Sequence, residues 1–176
     1  PNLFQGAVCL ITPTSVSDRD AFAKVEQFWK DLGCVILKTS PGVHDDLVSR
    51  SSHLPHIVAA ELASYVLSPA HPREQLAVCA NGFRDTTRIA SGSPEMWRDI
   101  SLANQTALLT ELDAYLAQLS ALRALLAAGD SAGLEAVFDN AQRARRAWGD
   151  AIEASEPPPA KGPVSSKMTP ILNSLP

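Results

Sequence analysis

The stretch LTELDAYLAQLSALRALL, residues 109–126, decides the fold class of this chain. Leucine recurs in it at positions 109, 112, 116, 119, 122 and 126, in steps of three and four residues. Such steps place the leucines along one face of an α-helix, so the stretch predicts a long amphipathic helix. Gly129 follows it and predicts the end of that helix.

Helical periodicity continues on both sides of this stretch, from residue 41 to residue 152. Ser93 and Pro94 are typical of an N-cap and a first helical residue, and we expect their helix to run without a break into residues 109–126. A last helix is predicted after Gly129. The segment from residue 41 onward is therefore predicted to be all-helical.

Two further helices are predicted before Ser93. One begins near His44 and is kinked at Pro55, because proline cannot donate the backbone hydrogen bond of a helix interior. The other covers residues 74–80 and would end at Asn81-Gly82 through a left-handed residue.

The first 40 residues have a different pattern. Short apolar runs at residues 7–12 and 34–39 flank a helix that Asp18 can cap and Gly33 can end. This order predicts two parallel strands joined by a right-handed helical crossover. Two parallel strands cannot cover both faces of a sheet, so we expect further strands to precede residue 1.

Composition excludes several classes of protein. The 176 residues have a net charge of −4 and a pI near 5.5, which argues against a nucleic-acid partner. No apolar run reaches the length of about 18 residues that a membrane-spanning helix needs. Cys9, Cys34 and Cys79 lie among aliphatic residues without metal-ligand spacing, so we expect buried, reduced thiols in a cytoplasmic protein.

Two histidines at helical spacing form the first candidate site. His53 and His56 are three residues apart and share a helical face opposite the aliphatic stripe. Solvated surface histidines would explain the pattern equally well. A metal site is a further alternative, although the HxxH spacing lacks the glutamate and the i, i+4 histidines of the zinc-protease helix.

Two arginines form the second candidate site. Arg84 and Arg88 lie four residues apart in the run GFRDTTRIA, residues 82–90, with Asp85 between them. Arginine can grip a carboxylate through two parallel hydrogen bonds, which suits a small anionic ligand. An ion pair with Asp85 would explain one arginine without any ligand.

Motifs of a self-contained enzyme are absent from the sequence. The serines form no GxSxG elbow, and the nine glycines never form the GxGxxG turn that binds a dinucleotide.

Several short motifs nevertheless occur in the order and with the gaps of one enzyme family. They are Leu3-Phe4-Gln5-Gly6, Leu10-Ile11-Thr12-Pro13, His44-Asp45, Ser52-His53-Leu54-Pro55-His56, Gly82-Phe83-Arg84-Asp85-Thr86-Thr87-Arg88-Ile89-Ala90 and Met96-Trp97-Arg98-Asp99-Ile100. Over residues 1–152 the chain resembles the prephenate and arogenate (cyclohexadienyl) dehydrogenases, which make the precursor of tyrosine by NAD- or NADP-dependent oxidative decarboxylation.

The resemblance implies a domain organisation. Residues 1–40 would be the C-terminal β-α-β piece of a nucleotide-binding, Rossmann-like domain, and residues 41–152 a helical domain that binds substrate and forms a homodimer. Residues 153–176 hold six of the 13 prolines and are predicted to be a tail or linker. The implied fold class is mainly α.

The resemblance also implies roles for individual residues. Arg88 would hold a substrate carboxylate, and His53 and His56 would line the substrate pocket. His44 and Trp97 are further candidates for that pocket. The family implies a place at the subunit boundary for Asp85 and Arg84, where Asp85 could pair with an arginine and gate entry.

Two departures from the family pattern limit what this chain is expected to do. The family's catalytic histidine lies in an HPxxG motif of the nucleotide-binding domain, and His71-Pro72 is followed by Arg73-Glu74 instead. The cofactor glycines are also absent. We therefore expect NAD or NADP to bind mainly outside this chain, and the chain to be inactive alone.

A second reading comes from a different class of protein. The leucine stripes would also suit a helical interaction module without catalysis, in which the histidines and arginines decorate the surface. The residues do not decide between prephenate and arogenate, or between NAD and NADP.

Overall fold

The computed structural model describes residues 3–155, and it is mainly helical with a short β-α-β start, as predicted. In chain order the elements are β1 (Val8–Ile11), α1 (Arg19–Asp31), β2 (Val35–Lys38), α2 (Pro41–Val48), a π-helical turn (Ser49–His53), α3 (Leu54–Val66), a 3-10 turn (Arg73–Val78), α4 (Asn81–Thr87), a second 3-10 turn (Arg88–Ser91), α5 (Pro94–Ala103), α6 (Gln105–Ala128) and α7 (Ser131–Ser155). The proline-rich tail lies outside the described residues from residue 156 onward.

The strands β1 and β2 are parallel, with Val8 opposite Val35. Between them, α1 starts at Asp18, whose side chain accepts a hydrogen bond of 2.7 Å from the backbone of Ala21. Gly33 follows α1 with a φ of 89°, a value that favours glycine. Val8 and Val35 are 60% and 57% exposed. The described part of the chain therefore leaves apolar sheet surface uncovered.

The helix predicted near His44 begins three residues earlier, at Pro41. Ser40 caps it, because its Oγ accepts from the backbone of Val43 at 3.3 Å, and Pro41 suits the first turn. Pro55, predicted as a kink inside this helix, lies in the first turn of α3. A π-helical turn precedes it, where the N–H of Leu54 reaches back five residues to the carbonyl of Ser49.

The prediction for residues 74–82 was wrong. A 3-10 turn stands in place of the helix, and Asn81-Gly82 begin α4 instead of ending a helix. Cys79 and Ala80 adopt extended backbone conformations, which lets a new helix start at Asn81. The backbone N–H of Cys79 bonds to the carbonyl of Leu76, three residues back as in a 3-10 helix, and the extended conformation of Cys79 ends the turn.

The helix predicted to run unbroken from Pro94 to residue 126 is interrupted at Asn104. The cap at Ser93 is confirmed, since its Oγ accepts from the backbone of Met96 at 3.3 Å, and Gly129 ends α6 at a φ of 64° as predicted. Asn104, however, has φ −113° and ψ 33°, outside the helical range. Its side chain is hydrogen-bonded to α2, a partner that periodicity does not reveal.

Little of this fold is buried. Among the described residues only Ala59 and Leu108 are buried apolar side chains, and Ser49, Thr87 and Asn104 are buried polar ones. The expectation of buried cysteines was wrong: Cys9, Cys34 and Cys79 are reduced but only half-buried. Cys9 belongs to β1, which has apolar neighbours on the same strand exposed to solvent, Val8 and Leu10.

The chain divides into two compact units within α7, after Asp139. In the second unit, the guanidinium of Arg145 lies 4.6 Å from the ring centre of Trp148, a cation–π contact on one helix face. Across residues 3–155, no helix is long and apolar enough to cross a membrane.

Candidate functional site

Three aromatic rings from α3, its preceding turn and α5 come together at the candidate site. His56 stacks on Trp97 with ring centres 3.5 Å apart and planes inclined by 23°. His53 meets the same indole edge-on, with centres 6.3 Å apart and an angle of 77°. All three side chains are half-buried. The sequence-predicted residues His53, His56 and Trp97 thus form one cluster.

Asn104 ties this cluster to α2. Its amide nitrogen lies 2.7 Å from the backbone carbonyl of Asp45 and 3.2 Å from Nδ1 of His53. A carbonyl can only accept, so the atom facing Asp45 must be the amide NH2 and not the amide oxygen. The second hydrogen of the same NH2 group is therefore available to His53.

These contacts give the two histidines opposite tautomers. Nδ1 of His53 accepts from Asn104, which leaves the proton of the neutral ring on Nε2. Nδ1 of His56 lies 3.0 Å from the carbonyl of Ser52 and must donate to it, which leaves Nε2 as an acceptor. Neither Nε2 has a hydrogen-bond partner within residues 3–155.

Burial lowers the pKa of His53 from its ordinary value of 6.5. The nearby imidazole of His44 lowers this pKa further, Asp45 opposes the shift, and His56 adds a smaller lowering. His53 is therefore held in the neutral state that its hydrogen bond from Asn104 requires.

His44 lies close enough to influence His53 but has its own partner. Its Nδ1 is 2.9 Å from Oδ1 of Asp45. This bond orients the ring of His44 at the edge of the cluster.

A cavity of about 260 Å³ adjoins the stacked pair. Its walls are mainly apolar and comprise His56, Ile57, Ala60, Ile89, Ala90, Gly92, Pro94, Trp97 and Ser101. Ile89 and Ala90 belong to the 3-10 turn that begins with Arg88, and α3 packs against this turn. A flat apolar ring fits such walls, with a polar group at His56.

Arg88 is exposed and has no hydrogen bond or ion pair within the described residues. Arg84 and Asp85 are also exposed, and no ion pair joins them. The internal pair that would have explained one arginine is therefore absent from residues 3–155. The guanidinium of Arg88 remains available to an anion from outside the described residues.

A larger polar cleft of about 670 Å³ lies along α2 and the start of α6. Arg50 there donates to both carboxylate oxygens of Glu111, at 2.9 and 2.5 Å. The hydrogen bond from Arg50 holds the pKa of Glu111 below its ordinary value. Arg50 is already paired with Glu111. The unpaired Arg88 is therefore better suited than Arg50 to bind an anionic ligand.

Residues 3–155 contain no group of three or more His, Cys, Asp or Glu side chains that could hold a metal ion. The two histidines of the cluster face an indole and an amide, which are not metal ligands.

Residues 40–140 match the family described as prephenate dehydrogenase, dimerization domain, which is more than half of the chain. The chain belongs to the prephenate dehydrogenase family. The match covers every residue of the site described above.

Curated and solved members of the family agree with this assignment. The cyclohexadienyl dehydrogenase of Zymomonas mobilis is 35% identical over 148 residues, which are 82% of this chain and 50% of that protein. The prephenate dehydrogenase of Aquifex aeolicus, solved with hydroxyphenyl propionate and NAD+, has a TM-score of 0.76 at 31% identity over 82% of this chain and 51% of its own. Synechocystis arogenate dehydrogenase has a TM-score of 0.71 at 30% identity, over 84% and 54%.

The chain spans about half the length of these prephenate dehydrogenase relatives. The similarity extends beyond residues 40–140, since it covers more than four fifths of this chain.

Two residues of the site were missed by the sequence analysis. Asn104 sits inside a leucine-rich helical pattern, and its only signal was the preference of asparagine for helix ends. Gly92 lies against Trp97, where an added Cβ would be 2.7 Å from the indole nitrogen. Neither residue belongs to the family motifs quoted above.

Proposed function

We propose that this chain is the substrate-binding and dimerisation part of a prephenate or arogenate dehydrogenase. The observation that carries the proposal is the unpaired guanidinium of Arg88 on a turn that borders the His56–Trp97 cavity. Prephenate and arogenate each combine a six-membered ring with a ring hydroxyl and a ring carboxylate. An apolar cavity lined by His56 and Trp97, next to a turn that begins with Arg88, suits that combination.

Arg88 is the residue to which we assign the carboxylate. Arginine keeps its charge at all physiological pH values and presents paired donors that match the two oxygens of a carboxylate. His53 and His56 are assigned to polar contacts with the substrate through Nε2, and Trp97 to the wall of the pocket. His44 supports the cluster from its edge.

The partner of the helical part is a second copy of the chain. Support comes from the family match and from the apolar side chains that α6 exposes, among them Leu109, Leu116, Leu119 and Leu126. A helix that leaves so many leucines in water has an unfavourable free energy unless another surface covers them. Asp85 and Arg84, both unpaired, are assigned to the boundary between the copies.

The residues of this chain do not fit a dinucleotide. No GxGxxG turn is present, and β1 leads into Thr12-Pro13 instead of a glycine-rich loop. We therefore assign the binding of NAD or NADP, and the catalytic base, to a region outside this chain. The reaction of the complete enzyme is removal of a hydride from the carbon bearing the hydroxyl, with loss of carbon dioxide and aromatisation of the ring.

The experiment that tests this function removes Arg88 in the full-length gene product. With Arg88→Ala, we expect the KM for prephenate or arogenate to rise by roughly 30-fold or more, the loss of about 2 kcal/mol expected for a charged hydrogen-bonded contact. Formation of NADH or NADPH from each substrate, measured by absorbance, also decides which substrate and cofactor are used.

Arg73→Ala is the matched control. Arg73 is an exposed arginine in the first 3-10 turn, and no residue of that turn lines the His56–Trp97 cavity, whereas Arg88 directly precedes the lining residues Ile89 and Ala90. Equal KM changes in the two variants would contradict the assignment of Arg88. A full-length product that oxidises neither substrate, with either cofactor, would favour a non-catalytic dimerisation module.

A further inference from the structure

We propose that Asn104 is a positioning residue that holds His53 as a hydrogen-bond donor at Nε2, opposite His56, which presents an acceptor at Nε2. The role toward a ligand rests on the proposed function above. The assignment of the tautomers does not, because it follows from hydrogen bonds within the chain.

The first step is the orientation of the Asn104 amide. Its NH2 group lies 2.7 Å from the carbonyl of Asp45, which also accepts the backbone N–H of Ser49. Rotating the amide by 180° would place two oxygens against each other, so this carbonyl fixes the orientation. Asn104 is 8% exposed, and water competes little for these bonds.

The second step is the consequence for His53. The fixed NH2 group is a donor, and it lies 3.2 Å from Nδ1. If Nδ1 carried a hydrogen, its N–H would face the N–H of the Asn104 amide, and two donors cannot hydrogen-bond to each other. The neutral ring therefore carries its hydrogen on Nε2. The indole of Trp97 packs edge-on against the same ring and limits its rotation.

The third step is the contrast with His56. The carbonyl of Ser52 requires a hydrogen on Nδ1 of His56, which leaves Nε2 as an acceptor. The two rings therefore present different groups beside the same indole: a free donor at Nε2 of His53 and a free acceptor at Nε2 of His56. A ligand that presents an acceptor oxygen to His53 and a hydroxyl hydrogen to His56 satisfies both.

Ring-nitrogen NMR of the chain tests this directly. The chain has four histidines, so spectra of 15N-histidine-labelled protein can be assigned with single His→Gln variants. Above the titration range, we expect Nδ1 of His53 to give the signal of an unprotonated nitrogen and Nε2 that of a protonated one. His56 should give the reverse pattern. A protonated Nδ1 on His53 in the unaltered chain would overturn the proposal without any variant.

Asn104→Asp changes the amide to a carboxylate of nearly the same shape. A carboxylate can only accept, so Nδ1 of His53 should gain a proton and its titration midpoint should move to higher pH. Gln105→Glu makes the same chemical change at the exposed first residue of α6 and should leave the His53 pattern unchanged. Unchanged His53 nitrogens in a folded Asn104→Asp protein would contradict the proposal.

Binding of prephenate or arogenate to the full-length gene product tests the ligand role. At a pH above the His53 titration midpoint of the variant, where the neutral ring carries its hydrogen on Nδ1, Asn104→Asp should weaken binding by about tenfold or more, the scale of one hydrogen bond to a charged ligand. Gln105→Glu should not weaken it. Equal binding by the two variants would overturn the donor role of His53. The NMR result and the Arg88 result can fail independently, so the proposed function and the role of Asn104 are judged separately.

Discussion

The ring of His56 stacks on the indole of Trp97, with 3.5 Å between their centres and 23° between their planes. Gly92 makes this stack possible, because any Cβ at that position would lie 2.7 Å from Nε1 and 3.0 Å from Cδ1 of the indole. The indole therefore has the backbone of residue 92 close to it and the ring of His56 stacked on it, which leaves it little room to move.

Gly92→Ala should displace the indole and disturb the stack. We expect a loss of about 1 to 3 kcal/mol in the free energy of unfolding, the usual cost of overpacking. Denaturant unfolding measures the stability. Fluorescence of Trp97, with Trp29 and Trp148 replaced by Phe, reports the displacement.

Gly82→Ala is the control for the Gly92 variant. Gly82 lies in α4, and an added Cβ would meet nothing within 4 Å. Its replacement should be neutral or stabilise by up to about 1 kcal/mol, because alanine has less freedom to lose on folding. A Gly92→Ala protein as stable as wild type, with unchanged Trp97 fluorescence, would show that the close contact is not needed.

His53 should make the stability of the fold depend on pH. Burial and His44 lower its pKa in the folded chain below the ordinary 6.5, so the unfolded chain binds more protons in this range. Its stabilising contribution is complete above 6.5 and is lost as the pH falls through 6.5 toward the folded pKa. Protonation of Nδ1 would also break the hydrogen bond from Asn104.

Chemical denaturation at a series of pH values checks this dependence. His53→Gln should flatten the acid side of the stability profile, whereas His71→Gln, which lies outside the cluster, should retain it. If His53→Gln lost as much stability at low pH as the unaltered chain, the pH dependence would come from other groups.

Ser49 tests the packing of the π-helical turn against α6. Its side chain is fully buried and its hydroxyl donates to the carbonyl of Asp46 at 2.8 Å. Ser49→Ala should cost only about 1 kcal/mol, the value of one hydrogen bond, whereas Ser49→Leu should cost at least about 2 kcal/mol through overpacking. Thermal unfolding of the two variants measures the difference. Equal stabilities would show that the turn can move away from α6.

The exposed leucines of α6 predict the assembly state. Leu116 and Leu119 are 50% and 42% exposed. If a second copy covers them, replacing both with Glu should raise the dimer dissociation constant by roughly 100-fold or more. Light scattering over a concentration series measures this constant. Gln118→Glu on the same helix is the control, and a monomeric unaltered chain at micromolar concentration would contradict the homodimer.

The sequence predicted those elements whose signals are local. Ser93 and Pro94 start a helix because the Ser93 side chain accepts a backbone hydrogen bond in the first turn and the Pro94 ring suits the first helical position. Gly129 ends a helix because glycine tolerates a positive φ. Asn104 could not be predicted in the same way. Its conformation depends on a carbonyl 59 residues earlier in the chain, so periodicity alone produced one long helix.

The candidate site shows the same limit. Helical spacing was enough to pair His53 with His56, and the family motifs added Trp97. The tautomers of the two rings depend on Asn104 and on the carbonyl of Ser52, which only three-dimensional contacts reveal. The roles of Arg88, Arg84 and Asp85 stay predictions, because their side chains contact no charged partner within residues 3–155.

The most direct measurement is a crystal structure of the full-length gene product with hydroxyphenyl propionate, the ligand of the Aquifex aeolicus relative. The account predicts that the ligand carboxylate pairs with Arg88, from the same protomer or its partner, while the ligand contacts His53 or His56 beside Trp97. A ligand bound away from these residues, or an Arg88 remote from both histidines in every protomer pair, would contradict it.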